Sequence, residues 1–411
     1  QMIATQVWSW GYGPQLPLYT WLQILVFEVT GPGKLGLALL KHSLLLALYL
    51  GMWVLARRLG LGPWGAAIAM AGMLALPTLI WSAQRDLTHT ALMATLCVWA
   101  MVAAIHAIQS GRMLSYLGFG MVLAAGMLSK WNFAFLALGM FGAALLLRQG
   151  RLTGFAVSLI VTLTLLSAPA IWAINNPNIV LSSTHRFAID AGPGGAAAGA
   201  ALLSLGEGVV TELLILTLLC LWAFGRLLWS ARSMPIQPTE RFLVFSVGLA
   251  AAASLVGVFA SGTQEVNPRW LLPITLFLPL LVALRVEPRL TQRRGTRFLS
   301  GIAGLAVVFG IAAPQAILWA SPEPPSRLMP YAEAAAPLRA RAPEAVFVAN
   351  HIVGGSLRAV APDVGVVPSH MFIDADLPIP EVVVWTATEP QPTPPEDLSN
   401  AFTAQTGNRI D

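Results

Sequence analysis

The chain has 411 residues, 56% of them hydrophobic and only 10% charged, with a formal net charge of +5. A soluble domain carries about 25% charged residues. This balance, with a mean hydropathy of +0.70, excludes an ordinary soluble domain and points to an integral membrane protein. The basic residues are dispersed along the chain, which gives no nucleic-acid signal. Cys97 and Cys220 both fall in apolar runs, which excludes a disulfide framework and a cysteine-based zinc site.

The first distinctive stretch is WSWGYGPQLPLYTWLQILVF, residues 8–27, which contains no Lys, Arg, Asp or Glu. Its prolines and glycines stop it from spanning a bilayer, and it is too apolar for a solvated loop. Trp8, Trp10, Tyr12, Tyr19 and Trp21 suit headgroup depth, the ordinary role of such aromatics. The run 20–31 is predicted as a short amphipathic helix along the membrane surface.

Apolar runs follow at 35–56, 64–81, 89–108, 113–128, 131–147, 152–174, 209–229, 242–260, 270–284 and 298–319. Each reads as a transmembrane helix, about ten in all, because lipid offers no partner for open backbone groups. Alternate loops carry Arg57 and Arg58; Arg112; Arg148 and Arg151; Arg232 and Arg241; then Arg289, Arg293, Arg294 and Arg297. The other loops carry mostly one cation each: Lys34, Arg85, Lys130, Arg186 and Arg269. The Arg-rich set is predicted to face the cytoplasm, which puts residues 1–34 and everything after 319 on the external side of the inner membrane. An external opening segment predicts an upstream span before Gln1, with a start at Met2 as the alternative.

After residue 319 the spans stop and Pro becomes frequent. EAVFVAN, GVVPS and EVVVWTA read as strands, HIVGGSLRAVAP as a helix, and PEDLSNAFTA begins with a helix-start signal. The expected organisation is a first-loop segment over 1–34, an all-α bundle over 35–319 and a small external α/β domain over 320–411.

On this topology the unusual polar residues gather at one face. Gln15, Arg85, Asp86, His89, Lys130, Asn132, Asn175, Asn176, His185, Arg186, Glu265, Asn267 and Arg269 all fall in external loops or at external helix ends. Ionisable groups at a membrane edge are costly to keep and mark a substrate path or site by default. Cations at that depth suit an anionic, lipid-linked substrate whose phosphate meets Lys or Arg. The candidates for phosphate contact are Lys130, Arg269, Arg85, Gln15, Tyr19 and His89, with Asp86 as a secondary candidate for a catalytic carboxylate. Each has a plainer reading. Arg85 and Asp86 are equally a local salt bridge at a helix start, and His89 is more often a hydrogen-bonded helix residue than a base. Lys130 can snorkel to the interface, and Arg269 can anchor the membrane edge beside Trp270. Lys41 and His42 either face the bundle interior or show that the first run starts later. HExxH, paired cysteines and acidic clusters are missing from the sequence, so neither metal nor cofactor is predicted.

Several of these stretches carry a family resemblance. GPQLPLYTWL resembles the KPPLYYWL-type segment of the first external loop in bacterial GT-C glycosyltransferases. That group is similar to protein O-mannosyltransferases, lipid A aminoarabinose transferases and rhizobial lipopolysaccharide galacturonosyltransferases. RDLTHTALMA resembles the start of a later span in that group, GMVLAAGMLSKWNFAFL its GLGLLTKYNF-type segment, and NPRWLLPITLFLP its RYLLPLLP-type segment. The matches run in family order over much of residues 8–280.

The resemblance implies a GT-C-like helical bundle that takes a sugar from a polyprenyl-phosphate donor. The sugar would pass, with inversion, to an acceptor hydroxyl of an envelope glycolipid, lipopolysaccharide or protein. It also implies a catalytic Asp or Glu just before the aromatic-proline segment, hence upstream of Gln1, in an N-terminally truncated chain. Gln15 stands where the family often has Lys and brings no charge, while Trp131 and Trp270 stand where Tyr is common. A polytopic transporter or lipid flippase is the alternative from another class, and an inactive membrane scaffold is a third. A transporter usually places polar groups near the midplane and shows internal repeats, and neither feature is evident in this sequence.

Overall fold

The computed structural model describes residues 1–83, 88–182, 195–230, 237–263, 265–319, 331–341, 344–348, 351–368, 380, 382–384 and 396–406. Arg85, Asp86, His185, Arg186 and Arg232 lie outside them.

A short helix, α1 (Leu18–Thr30), precedes α2 (Lys34–Arg58) and α3 (Pro63–Gly72). Then come α4 (His89–Ser110), α5 (Met113–Met127), α6 (Phe133–Leu147) and α7 (Leu152–Asn175). The helical series continues with α8 (Gly195–Phe224), α9 (Pro238–Ser261), α10 (Leu278–Val286) and α11 (Gln292–Trp319). Among the described residues six of these helices, α2, α4, α7, α8, α9 and α11, are long and apolar enough to cross a membrane. The protein is an all-α polytopic membrane protein with a small α/β portion near its C-terminus.

Two predicted spans are broken rather than continuous. The run 64–81 is α3, a 3-10 turn at Met73–Ala75 and a π turn at Thr78–Ser82, with Pro77 between the turns. The run 270–284 is a 3-10 turn at Pro268–Trp270, a single turn at Leu272–Thr275 and then α10. Proline removes a backbone donor and clashes with the preceding turn, which interrupts the helical ladder. Such breaks are tolerated at membrane depth only inside protein, and Leu76, Leu79, Leu272, Leu276 and Phe277 are all buried here. A third difference lies in 209–229. The helix begins well before that run, at Gly195, because the Ala-rich stretch ahead of it is a strong helix former. It ends at Phe224, and Gly225 follows with a positive φ.

The chain divides into two compact units. One comprises Lys41–Ile171 and Ser183–Pro314. At its centre is α4, with 72% of its apolar window buried, against at most 33% for the other long helices. Its Ala91, Ala94, Ala100, Ala104 and Ala107 are buried, and side chains this small let neighbouring backbones approach. Thr95 and Trp99 donate hydrogen bonds to the carbonyls of Leu44 and Ala47 in α2, at 2.9 and 3.0 Å. Ser158 and Thr162 of α7 reach the carbonyls of Tyr116 and Gly120 in α5, at 2.7 and 3.0 Å. Bonds of this kind contribute about 0.6 kcal/mol each in a membrane bundle, so close packing does most of the fastening. Helices α6 and α9 approach closely at Gly139, where an added Cβ would run into the carbonyl oxygen of Ser246.

The other unit comprises Gln1–Leu40, Trp172–Ser182 and Gln315–Asp411. Its α/β portion contains α12 (Tyr331–Arg341), β1 (Ala345–Val348), α13 (His351–Val360), β2 (Gly365–Pro368), β3 (Val382–Val384) and α14 (Glu396–Thr406). The strands pair in parallel in the order β2-β1-β3. One face packs Val346, Val348, Val353, Leu357 and Val366 together with Ile3 from the chain start. Gln6 fastens the same segment to the sheet edge: its amide oxygen accepts from Val366 N at 2.8 Å, and its amide nitrogen donates to Val366 O at 2.9 Å.

The aromatic opening folds as a tight turn. Tyr12 and Gln15 exchange backbone hydrogen bonds at 3.2 Å, with Gly13 at φ +64 between them. Trp21 donates to Ser9 O at 2.8 Å and meets the Trp10 ring edge-on. Trp8 and Trp10 remain exposed.

The α6–α9 crossing generates a stability test. Gly139→Ala should lower thermal stability in detergent by about 1–3 kcal/mol, the usual cost of overpacking. Gly248→Ala, in open space on α9, should leave it unchanged or raise it slightly. A light-scattering or fluorescence melt of the two variants checks this.

Candidate functional site

The site forms at the N-terminal end of α4. The connection between α5 and α6 is only residues 128–132, and it is tight because the Phe133 ring lies on Gly126, where a Cβ would sit 2.1 Å from the ring. Ser129 closes the turn by donating to Gly126 O at 2.6 Å. Lys130 therefore cannot drift away on a flexible loop. Its ammonium donates to the hydroxyl of Thr90, a buried α4 residue, at 2.6 Å. Lys130 is part-exposed as a residue, but its ammonium lies deep among protein atoms. Burial, and then the charge of Arg269, push its pKa down to about 7. His89, buried beside Thr90, hydrogen-bonds the backbone of Ser129.

Arg269 arrives on the short turn Pro268–Trp270, whose first residue follows Asn267. The Asn267 side chain accepts from Arg269 N at 3.2 Å and so starts the turn. Asn132 ties the turn to the start of α6 by donating to Trp270 O at 3.3 Å. Nε of Arg269 and Oδ1 of Asn132 are both buried and have no hydrogen-bond partner among the described residues. Lys130 and Arg269 form no ion pair with a carboxylate among those residues. Two like charges are thus held near each other with donors to spare, and the N-terminus of α4 adds its own partial positive charge. The chemistry this arrangement accepts best is an oxyanion with several acceptor oxygens, such as a phosphate.

The structure brings together Lys130, His89 and Arg269, and with them Asn132. Gln15 and Tyr19 belong to the other compact unit, Gln15 exposed and Tyr19 fully buried. Asn176 also lies in that unit, where its side chain donates to Trp172 O at 2.9 Å. Lys41 is buried within α2 and His42 is exposed, so the first run does begin ahead of them. Glu265 is exposed.

The sequence reading passed over two residues. Thr90 has no charge to announce it, and only the fold shows that it holds the Lys130 ammonium. Glu212 is a buried carboxylate in α8, set against the backbone of Thr78. A lone acid in an apolar run was its available signal.

Residues 13–172 match the family described as dolichyl-phosphate-mannose-protein mannosyltransferase. The chain is similar to the lipopolysaccharide core galacturonosyltransferase RgtA of Rhizobium johnstonii, with 28% identity over 96% of this chain and 83% of that protein. It is similar to RgtB of the same organism, with 29% identity over 89% of this chain and 76% of that protein. Its fold is similar to crystal structures of ArnT from Cupriavidus metallidurans. The form bound to undecaprenyl phosphate superposes with a TM-score of 0.53 at 18% identity. That match covers 85% of this chain and 65% of the ArnT chain, so this chain spans just under two thirds of that length. The apo form gives a TM-score of 0.52 at 19% identity. The chain therefore matches the dolichyl-phosphate-mannose-protein mannosyltransferase family over residues 13–172, and its fold is similar to that of ArnT.

Proposed function

We propose that this chain is a glycosyltransferase that moves a sugar from a polyprenyl-phosphate donor to a hydroxyl of an envelope glycolipid, lipopolysaccharide or protein. The observation that carries the reading is the Lys130–Arg269 pair, two neighbouring cations without a carboxylate among the described residues. The names of the relatives support glycosyl transfer, and the ArnT structure is described as bound to undecaprenyl phosphate. A galacturonosyl donor and a lipopolysaccharide core acceptor are accordingly the first pair to test.

In this reading the prenyl tail lies in the bilayer and the donor phosphate sits between Lys130 and Arg269. The acceptor oxygen attacks the anomeric carbon from the face opposite the phosphate. The C–O bond to phosphate breaks as the new glycosidic bond forms, with inversion. The polyprenyl phosphate leaves as a stabilised anion, and the cations lower the cost of the charge that develops on its oxygen. The acceptor proton passes to a carboxylate, for which Asp86 is a secondary candidate. His89 positions the Lys130 turn through Ser129. The site opens to the external face of the inner membrane in this reading. A transporter would place its polar groups near the midplane. Here the polar cluster at an end of α4 favours the enzyme.

The protein in proteoliposomes should release polyprenyl phosphate from a polyprenyl-phosphate sugar when an acceptor is supplied. Movement of intact donor across the vesicle without cleavage would favour the transporter instead. Donor binding should also depend on pH through Lys130. Its folded pKa lies near 7, below the ordinary 10.5, so the site loses a positive charge as pH rises through 7. The donor is a phosphodiester whose charge does not change there. Its Kd should therefore rise between pH 6 and 9, by up to about tenfold per unit above 7. Lys130→Arg keeps its charge over that range and should flatten the profile. The sign for stability is opposite. The unfolded chain binds the proton more tightly, so the unliganded protein should gain stability as pH rises from about 7 towards 10.5.

A further inference from the structure

We propose that the start of α11 and the end of α8 form a binding site for an anionic phospholipid, separate from the Lys130–Arg269 site. An open groove of about 540 Å³ is lined by Gln292, Arg293, Thr296, Arg297 and Ser300. It offers two guanidinium groups, two hydroxyls and an amide along one face of α11, a donor set matched to a phosphodiester. The Arg297 guanidinium is already oriented. It lies 5.6 Å above the Trp222 ring of α8 and points a nitrogen at the Trp222 carbonyl at 3.5 Å. Stacking of this kind lowers the conformational cost of holding Arg in a binding geometry.

The floor of the groove is rigid. Phe298 stacks on Phe224 with ring centroids 5.2 Å apart. A Cβ at Gly301 would meet Leu219 and Trp222 at 3.0 Å, so the two helices cross closely. The positive charge is not spent within the protein. Among the described residues Arg293 and Arg297 form no salt bridge. The acidic side chains on the neighbouring helix ends are taken: Glu240 pairs with Arg285 at 3.2 Å, and Glu287 accepts from Gly62 N at 2.6 Å.

What makes the occupant a lipid rather than a free anion is the surface beside the groove. Leu218, Leu221 and Trp222 of α8 and Val307, Val308 and Ile311 of α11 are all exposed. Val307 lies about 15 Å along α11 from Arg297, within an acyl chain's reach of a headgroup held in the groove. Basic pockets between membrane helices at such an edge recognise anionic headgroups.

The test is native mass spectrometry of the detergent-purified chain with phosphatidylglycerol or phosphatidylcholine of the same acyl chains. Two Arg residues at an anionic lipid surface should give phosphatidylglycerol about a thirtyfold preference. The Arg293→Ala/Arg297→Ala variant should lose it, and Arg294→Ala, one residue outside the lining, should keep it. Equal retention of the two lipids by the unaltered protein would overturn the site without any variant. Equal loss in Arg294→Ala would reduce it to general surface charge. Displacement of phosphatidylglycerol by millimolar inorganic phosphate would make it a free-anion site and overturn the lipid assignment. A melt in uncharged detergent confirms that the double variant is folded.

Discussion

The site depends on an ammonium group held where a membrane protein would ordinarily not hold one. Lys130 sits on a turn too short to move, with its charge pressed against Thr90 and Arg269 nearby. Keeping two cations together in a poorly hydrated place costs stability. The cost falls when an anion joins them, which is why the proposed phosphate site is placed here. Burial and the charge of Arg269 push the Lys130 pKa down for the same reason.

The rest of that unit serves to fix this geometry. Helix α4 is the buried centre of its unit, and its first residues provide His89 and Thr90. Gly51 lets α2 approach Val98 and Trp99 of α4, and Gly139 lets α6 meet α9 with the backbones in contact. The Phe133 ring on Gly126 then sets the α5–α6 turn, and Asn132 fastens that turn to the one bearing Arg269. Towards the other end of α4, about 26 Å from His89 by helix rise, His106 meets Arg58 at 3.2 Å. The two ends of one helix thus carry different electrostatics, with unpaired donors at one and a ring nitrogen engaging the cation at the other.

Much of this was legible beforehand, and the reasons differ by element. Long apolar runs announce membrane helices because the bilayer allows few alternatives, and the polar residues stand out against them. Lys130 and Arg269 were visible as lone cations beside apolar runs. The breaks at Pro77 and ahead of Pro279 were less legible, because hydropathy averages over a proline that alters the backbone locally. Thr90 was silent, since a threonine in an apolar helix more often bonds its own backbone than a distant lysine. Also unannounced was Gln6, whose amide stands in for a strand at the edge of β2, because such a pairing depends on residues 360 positions apart. Helix α12 was hidden by Pro337 in its interior.

The most direct measurement is a double-mutant cycle on undecaprenyl-phosphate affinity with Lys130→Met, Arg269→Met and both together, using Arg294→Met as the control. If both cations grip one phosphate, each single variant should lose at least tenfold in affinity while Arg294→Met stays near the unaltered protein. The double variant should depart from additivity by more than about 0.5 kcal/mol. Strictly additive losses, or an equal loss in the control, would contradict a shared phosphate site.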